Sequence, residues 1–110
     1  MIKNPKITIV TPVYNCAEYI EDTIRSVLIQ NYQNIEYIIV DGGSNDGTCE
    51  IVEKYSEKIN LFISEKDQGM YDALDKGFKV ATGKYLSWLN ADDLYFNDSI
   101  SKSIELSFIL

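Results

Sequence analysis

Asp92 and Asp93 stand side by side directly behind the apolar run Tyr85 to Leu89 and the pair Asn90-Ala91. Two carboxylates this close repel one another unless a cation or a proton sits among them. The chain has no histidine, which excludes histidine-dependent triads and most zinc sites. A metal in this protein is therefore held by carboxylates, a donor set that favours Mg²⁺ or Mn²⁺. Other polar segments follow apolar runs in the same way. Thr11-Pro12-Val13-Tyr14-Asn15 follows Ile7 to Val10, Asp41 follows Ile35 to Val40, and Glu65-Lys66-Asp67-Gln68-Gly69 follows Leu61 to Ile63. Asp46 and Asp98 fall where helices begin and are expected to act as N-caps. Cys16 and Cys49, 33 positions apart, match neither a zinc spacing nor a disulfide framework and are expected to be free thiols.

The elements that must position these residues alternate along the chain. Ile7-Thr8-Ile9-Val10 is β-rich and reads as a first strand. Asn15, with Glu18 three residues later, has the form of a capping box for a helix whose apolar stripe is Ile20, Ile24, Val27 and Leu28. Ile35 to Val40 is nearly continuous apolar sequence, as in a strand covered on both faces. The turn cluster Asp41 to Gly47 leads into a second helix with Ile51, Val52 and Tyr55 inward. Leu61 to Ile63 is a third strand. A third helix runs from Tyr71 to Ala81, and Gly83 is placed as its C′ glycine. Tyr85 to Leu89 is a fourth strand with Trp88 expected in the core, and a last helix starts near Asn97 with Ile100, Ile104 and Phe108 on one side. This order predicts an α/β fold, a doubly wound and mainly parallel sheet in a single domain over residues 1–110. In such sheets ligands bind at the carboxyl ends of the strands, where strand order reverses, and every polar segment named above lies at such an end.

Composition narrows the partners. Of 110 residues, 45% are hydrophobic and 25% charged, as in an ordinary globular domain. Seventeen acids against ten bases give a net charge of −7, so nucleic acid, which needs a basic face, is not an expected partner. No apolar stretch approaches the roughly 20 residues of a membrane span, and the first five residues form no secretory apolar region. A cytoplasmic location is expected, with a peripheral place at the inner membrane face left open. Neither G-x-G-x-x-G after the first strand nor G-x-x-x-x-G-K-[ST] is present. A divalent cation held by carboxylates can take the place of a glycine-rich cradle and reconcile the negative chain with an anionic ligand.

With these segments in order, the chain resembles the family 2 glycosyltransferases of the GT-A fold. The resemblance rests on Thr11-Pro12-Val13-Tyr14-Asn15, on Val40 to Thr48, and on Asn90-Ala91-Asp92-Asp93. The stretch Glu65 to Gly77 resembles a subgroup that builds bacterial surface polysaccharides. The match runs from about Lys6 to Tyr95 and implies the Rossmann-like, donor-binding half of that fold. It implies transfer of a sugar from a nucleotide-diphosphate donor, such as a UDP-sugar, to a hydroxyl of a glycan or lipid-linked acceptor, with inversion. Thr11, Pro12, Tyr14 and Asn15 match the nucleoside pocket, Asp41 the acid at the base, Asp92 the acid near ribose and diphosphate, and Asp93, with Asp92, the metal site. A divalent Mg²⁺ or Mn²⁺ would stabilise the nucleoside diphosphate as it leaves. Asp67 and Lys76 are placed near the donor, with a solvated helix lysine as the alternative for Lys76. Asp41, as a strand-end acid facing the crevice, is expected to support no core.

The sequence departs from the family pattern in two places. Asn90 stands where many relatives carry an acid, which leaves the metal largely to Asp93. Seventeen residues follow Asp93, and none matches the family's general base, which is expected beyond Leu110. The chain is expected to be the first part of a larger fold, with an apolar face that favours a homodimer. The alternative function is a non-catalytic nucleotide-sugar-binding or assembly module. A receiver domain would carry its acidic pair behind the first strand, where this chain has Thr-Pro-Val-Tyr-Asn.

Overall fold

The computed structural model describes residues 4–92. Asp93, Asp98 and the helix expected from Asn97 lie outside the described residues. Seven elements alternate in chain order: β1 (Ile7–Val13), α1 (Ile20–Leu28), β2 (Ile35–Asp41), α2 (Thr48–Glu53), β3 (Leu61–Ser64), α3 (Met70–Val80) and β4 (Tyr85–Trp88). The four strands form one sheet in the order β3-β2-β1-β4. All pairings are parallel, with Val10 opposite both Ile38 and Trp88.

Strand alternation divides the core into two layers. Ile7, Ile9 and Val13 of β1 and Tyr37 and Ile39 of β2 face α1 and α2, where Ile20, Ile24, Val27 and Val52 meet them. Val10, Ile38 and Val40 face the opposite way, onto Ala73 and Leu74 of α3. Helices therefore cover both faces of the sheet, as the doubly wound reading requires. Every residue of β1 is buried, which explains its lack of a polar alternation.

Three local expectations are corrected. Asn15 does not cap α1, which begins five residues later at Ile20 with no side-chain cap. Asn15 instead takes a left-handed backbone, φ 50°, and its side chain bonds to the next loop. Gly83 is not a C′ glycine, because α3 ends at Val80 and Ala81 is already extended, φ −67° and ψ 142°. Gly83 is required for close approach: a Cβ there would fall 2.5 Å from Thr8 Oγ1 and 2.6 Å from Thr8 N. Trp88 is 44% exposed and not core. Helix α3 packs on β1 and β2, so the edge strand β4 lies beyond its cover.

Gly77 shows how tightly α3 is seated. A Cβ at this position would lie 2.6 Å from Val10 Cγ1 and 2.9 Å from Val10 Cγ2, and Val10 is fully buried. Overpacking of this kind costs about 1–3 kcal/mol, whereas replacing a mid-helix glycine by alanine returns about 1 kcal/mol. Gly77→Ala is expected to lower stability in urea titrations by about 1 kcal/mol, the middle of the difference between the two. A variant as stable as the parent would show that α3 can move off the sheet freely.

Candidate functional site

The carboxyl ends of the four strands open into a cleft of about 710 Å³. Pro12 and Tyr14 contribute to it from the end of β1, Gly42 and Gly43 from β2, and Lys66, Asp67 and Met70 from the β3–α3 segment. Asn90, Ala91 and Asp92 contribute from behind β4. β1 has β2 on one side and β4 on the other, so the cleft occupies the point where strand order reverses.

Its walls are fixed by bonds between loops. Gly42 N donates to Val13 O at 2.9 Å, and Glu65 N donates to Asp41 O at 3.0 Å. Asn45 N donates to Asn15 Oδ1 at 2.9 Å, and Asn15 N donates to Ser44 Oγ at 2.7 Å. Ala17 N donates to Asp46 Oδ2 at 3.1 Å, while Thr48 donates to Asp46 Oδ1 through its N–H at 3.1 Å and its hydroxyl at 2.6 Å. Asp46 thus clasps two loops and is not the N-cap expected of it: that position is Gly47, one residue later, and α2 has no side-chain cap. Its hydrogen bonds, Thr48's first, hold its carboxyl below the ordinary value. The turn residues from Ser44 to Thr48, which the sequence marks only as a turn, join the first two walls of the cleft.

The residues singled out in the sequence divide into two groups. Pro12, Tyr14, Asp67 and Asp92 line the cleft, and Tyr14 is 61% exposed there. Thr11, Asn15, Asp41 and Lys76 do not line it. Thr11 is buried, and its hydroxyl shares a 2.9 Å hydrogen bond with Tyr37 Oη inside the core. Lys76 is drawn to Glu65 at 3.0 Å and Asp72 at 3.7 Å, and the hydrogen bond to Glu65 raises its pKa. Lys66, which the sequence carries only as part of a motif, is the cation in the cleft lining.

Asp41 departs furthest from expectation. It does not face the crevice: its place on β2 shares a face with Tyr37 and Ile39, and the turn that follows folds over it. It is fully buried. Oδ2 accepts from Gly43 N at 3.0 Å, Ser44 N at 3.0 Å, Ser64 Oγ at 2.9 Å and Cys49 Sγ at 3.3 Å. Oδ1 accepts from Ser44 Oγ at 2.5 Å. Burial pushes its pKa up, but the bonds from Ser44, Cys49 and Ser64 outweigh it and hold the carboxyl below its usual value. Cys49 answers in the opposite sense, its thiol pushed up chiefly by burial. Cys16 and Cys49 are both free.

Comparison with known proteins decides what this arrangement belongs to. The family model "Glycosyl transferase family 2" matches residues 8–106. The chain belongs to that family. It is 43% identical over 103 residues to an uncharacterized glycosyltransferase of Rickettsia typhi, covering 94% of this chain and 32% of that protein. It is 38% identical over 104 residues to Bacillus subtilis TuaG, named as a teichuronic acid biosynthesis glycosyltransferase, covering 92% of this chain and 41% of TuaG. Among solved structures, residues 1–349 of S. aureus TarS in complex with UDP match with a TM-score of 0.86 at 27% identity, covering 94% of this chain and 32% of that one. A mannosyltransferase from Pyrobaculum calidifontis in complex with GDP-Man and Mn²⁺ matches with a TM-score of 0.85 at 28% identity, covering 92% of this chain and 32% of that one. The chain resembles bacterial surface-polysaccharide transferases and has the GT-A sheet. It spans about a third of the length of most of these relatives. No helix among the described residues is long and apolar enough to cross a membrane.

A divalent metal is implied by the family. Among the described residues no three His, Cys, Asp or Glu side chains converge, and Asp92 stands at the cleft as one carboxylate. Mg²⁺ is commonly held by one or two carboxylates together with substrate phosphates. These residues fit a metal that arrives with a diphosphate.

Proposed function

We propose that the cleft binds a nucleotide-diphosphate sugar, and that the glycosyltransferase passes the sugar to an acceptor hydroxyl with inversion, in the synthesis of a surface polysaccharide or other glycan. The observation that carries this reading is the convergence of four strand-end segments on one cleft whose lining combines Pro12 and Tyr14, Lys66, and the acids Asp67 and Asp92. Two solved relatives of the same fold are complexes with UDP and with GDP-Man and Mn²⁺. The apolar surface of Pro12 and Tyr14 suits a base, and the Lys66 cation suits a diphosphate. Asp92, with Asp93 beside it in sequence, is suited to hold Mg²⁺ or Mn²⁺ against that diphosphate. When bound, the ion would stabilise the charge that the departing nucleoside diphosphate gains. Asn15 and Asp41 serve the site by fixing its loops, and Thr11 by anchoring the strand beneath Tyr14. A homodimer, a glycan or lipid-linked acceptor, and work at the cytoplasmic face of a membrane belong to the same reading.

The test is to incubate the protein with UDP-sugars and GDP-sugars in Mn²⁺ and to follow release of the nucleoside diphosphate. Release that depends on an added acceptor, with an inverted anomeric centre in the product by NMR, is the expected result. A protein that binds these donors yet never releases the diphosphate supports a non-catalytic binding module instead.

A further inference from the structure

We infer that Thr23, a buried hydroxyl of α1, is a positioning residue for the acidic end of the cleft: it holds the peptide from which Asp92 extends, and so sets the affinity for a divalent cation that binds together with a nucleoside diphosphate. The inference rests on the metal-assisted donor binding proposed above and assigns part of it to a residue that does not line the cleft.

Thr23 is fully buried. Its Oγ1 lies 2.5 Å from Ala91 O and 3.3 Å from Tyr19 O. A hydroxyl carries one proton, and the shorter contact, to Ala91, claims it. Bonding to a carbonyl four residues back is the ordinary local use of a helical threonine, whereas the bond to Ala91 joins α1 to the segment behind β4. Ala91 is itself buried and packs with Leu89 in the α1 layer. Asp92, the next residue, is exposed and lines the cleft. Strand pairing gives this segment no support, because the bonds between β1 and β4 end with Leu89 N donating to Val10 O at 3.0 Å. Among the described residues, the Thr23 hydroxyl makes the one hydrogen bond that ties Asn90, Ala91 or Asp92 to the rest of the protein.

A peptide unit is planar, so the carbonyl of Ala91, the amide of Asp92 and the Asp92 Cα move as one body. Holding Ala91 O therefore fixes the point from which the Asp92 carboxylate reaches. A cation such as Mg²⁺ tolerates little error in that reach, because it demands near-octahedral oxygen ligands at about 2.0–2.1 Å. Groups that orient a metal's ligands typically contribute about 10–100-fold to its affinity. The same helix also holds the other side of the cleft. Its entry loop bonds to the β2 turn through Asn15 Oδ1 and Ala17 N. Helix α1 thereby fixes the β2 turn and the acid behind β4 relative to one another, with Thr23 as the link to the second.

Calorimetry of the full chain with UDP and with GDP, each in Mn²⁺ and in EDTA, tests this on the parent, Thr23→Val and Thr23→Ser. Valine keeps the shape and removes the donor, while serine keeps the hydroxyl. Thr23→Val is expected to lower nucleotide affinity in Mn²⁺ by about tenfold and to leave affinity in EDTA unchanged. Thr23→Ser is expected to bind like the parent in both. A Thr23→Val chain that matches the parent in Mn²⁺ overturns the inference. So does an equal loss in Mn²⁺ and in EDTA, or a failure to fold, either of which marks Thr23 as a core residue only. Thr23→Ser as weak as Thr23→Val also overturns it, because the methyl group and not the hydroxyl then matters. A parent whose nucleotide affinity ignores Mn²⁺ defeats this inference and leaves donor binding standing, whereas a parent that binds neither nucleotide defeats the proposed function as well.

Discussion

Asp41→Asn is expected to lower stability by about 1.5–3 kcal/mol, the range for hydrogen bonds made to a charged group. The substitution preserves shape but exchanges an acceptor-only group for one with two N–H donors. Five donors, from Gly43, Ser44 twice, Cys49 and Ser64, point at the two oxygens. With the amide nitrogen in place of Oδ2 it meets the N–H groups of Gly43 and Ser44, and in place of Oδ1 it forces the Ser44 hydroxyl to turn and accept; a buried polar group left unsatisfied costs about 1–3 kcal/mol. Since whole domains are stable by only about 5–15 kcal/mol, urea titration should resolve the loss easily. The same carboxylate makes a prediction about pH. Its folded pKa lies below the unfolded value, so its contribution is present above the unfolded pKa of about 3.9 and is lost as pH falls through the lower folded one. Parent stability should therefore decline on acidification below about pH 4 more steeply than that of Asp41→Asn. A variant as stable as the parent, with parallel pH curves, would return Asp41 to the role of a crevice acid.

Nucleoside diphosphate affinity is expected to fall at least about tenfold when EDTA replaces Mn²⁺, and by more at low ionic strength. The cleft lining sets two acids, Asp67 and Asp92, against one cation, Lys66, on a chain of net charge −7. A diphosphate entering without a counter-ion meets net repulsion, and a divalent cation reverses the sign. Asp93→Ala is expected to make affinity in Mn²⁺ resemble affinity in EDTA. Calorimetry giving equal affinity with and without metal would place the diphosphate on Lys66 and neighbouring backbone N–H groups instead.

Much of this architecture is legible in the residues. The strand runs beginning at Ile7, Ile35, Leu61 and Tyr85 are short, apolar and bounded by turn residues, and each is a strand in the parallel sheet. Polar segments behind them mark the cleft edge, because parallel strands place all their carboxyl ends together. What sequence pattern does not carry is the direction of a side chain at a strand end. Asp41 and Asp67 are both acids at such ends, yet the face shared with Tyr37 buries the first, while Gly42 beneath the second leaves it in the cleft. Nor does local pattern show long-range partners. Asn15 has the form of a cap, but Asn45 and Ser44 lie close enough to claim it for the loop clasp. Trp88 has the composition of a core residue, and only the position of β4 at the end of the strand order leaves it uncovered.

The central claim, that the nucleotide occupies the cleft at the carboxyl ends of the strands, is tested most directly by amide hydrogen exchange of the chain with and without UDP in Mn²⁺. Protection is expected at residues 13–16, 42–45, 66–69 and 90–92, the four segments that frame the cleft. Protection concentrated instead at the smaller cleft at the amino ends of the strands, beside Tyr32, Lys58 and Asn60, would contradict the account.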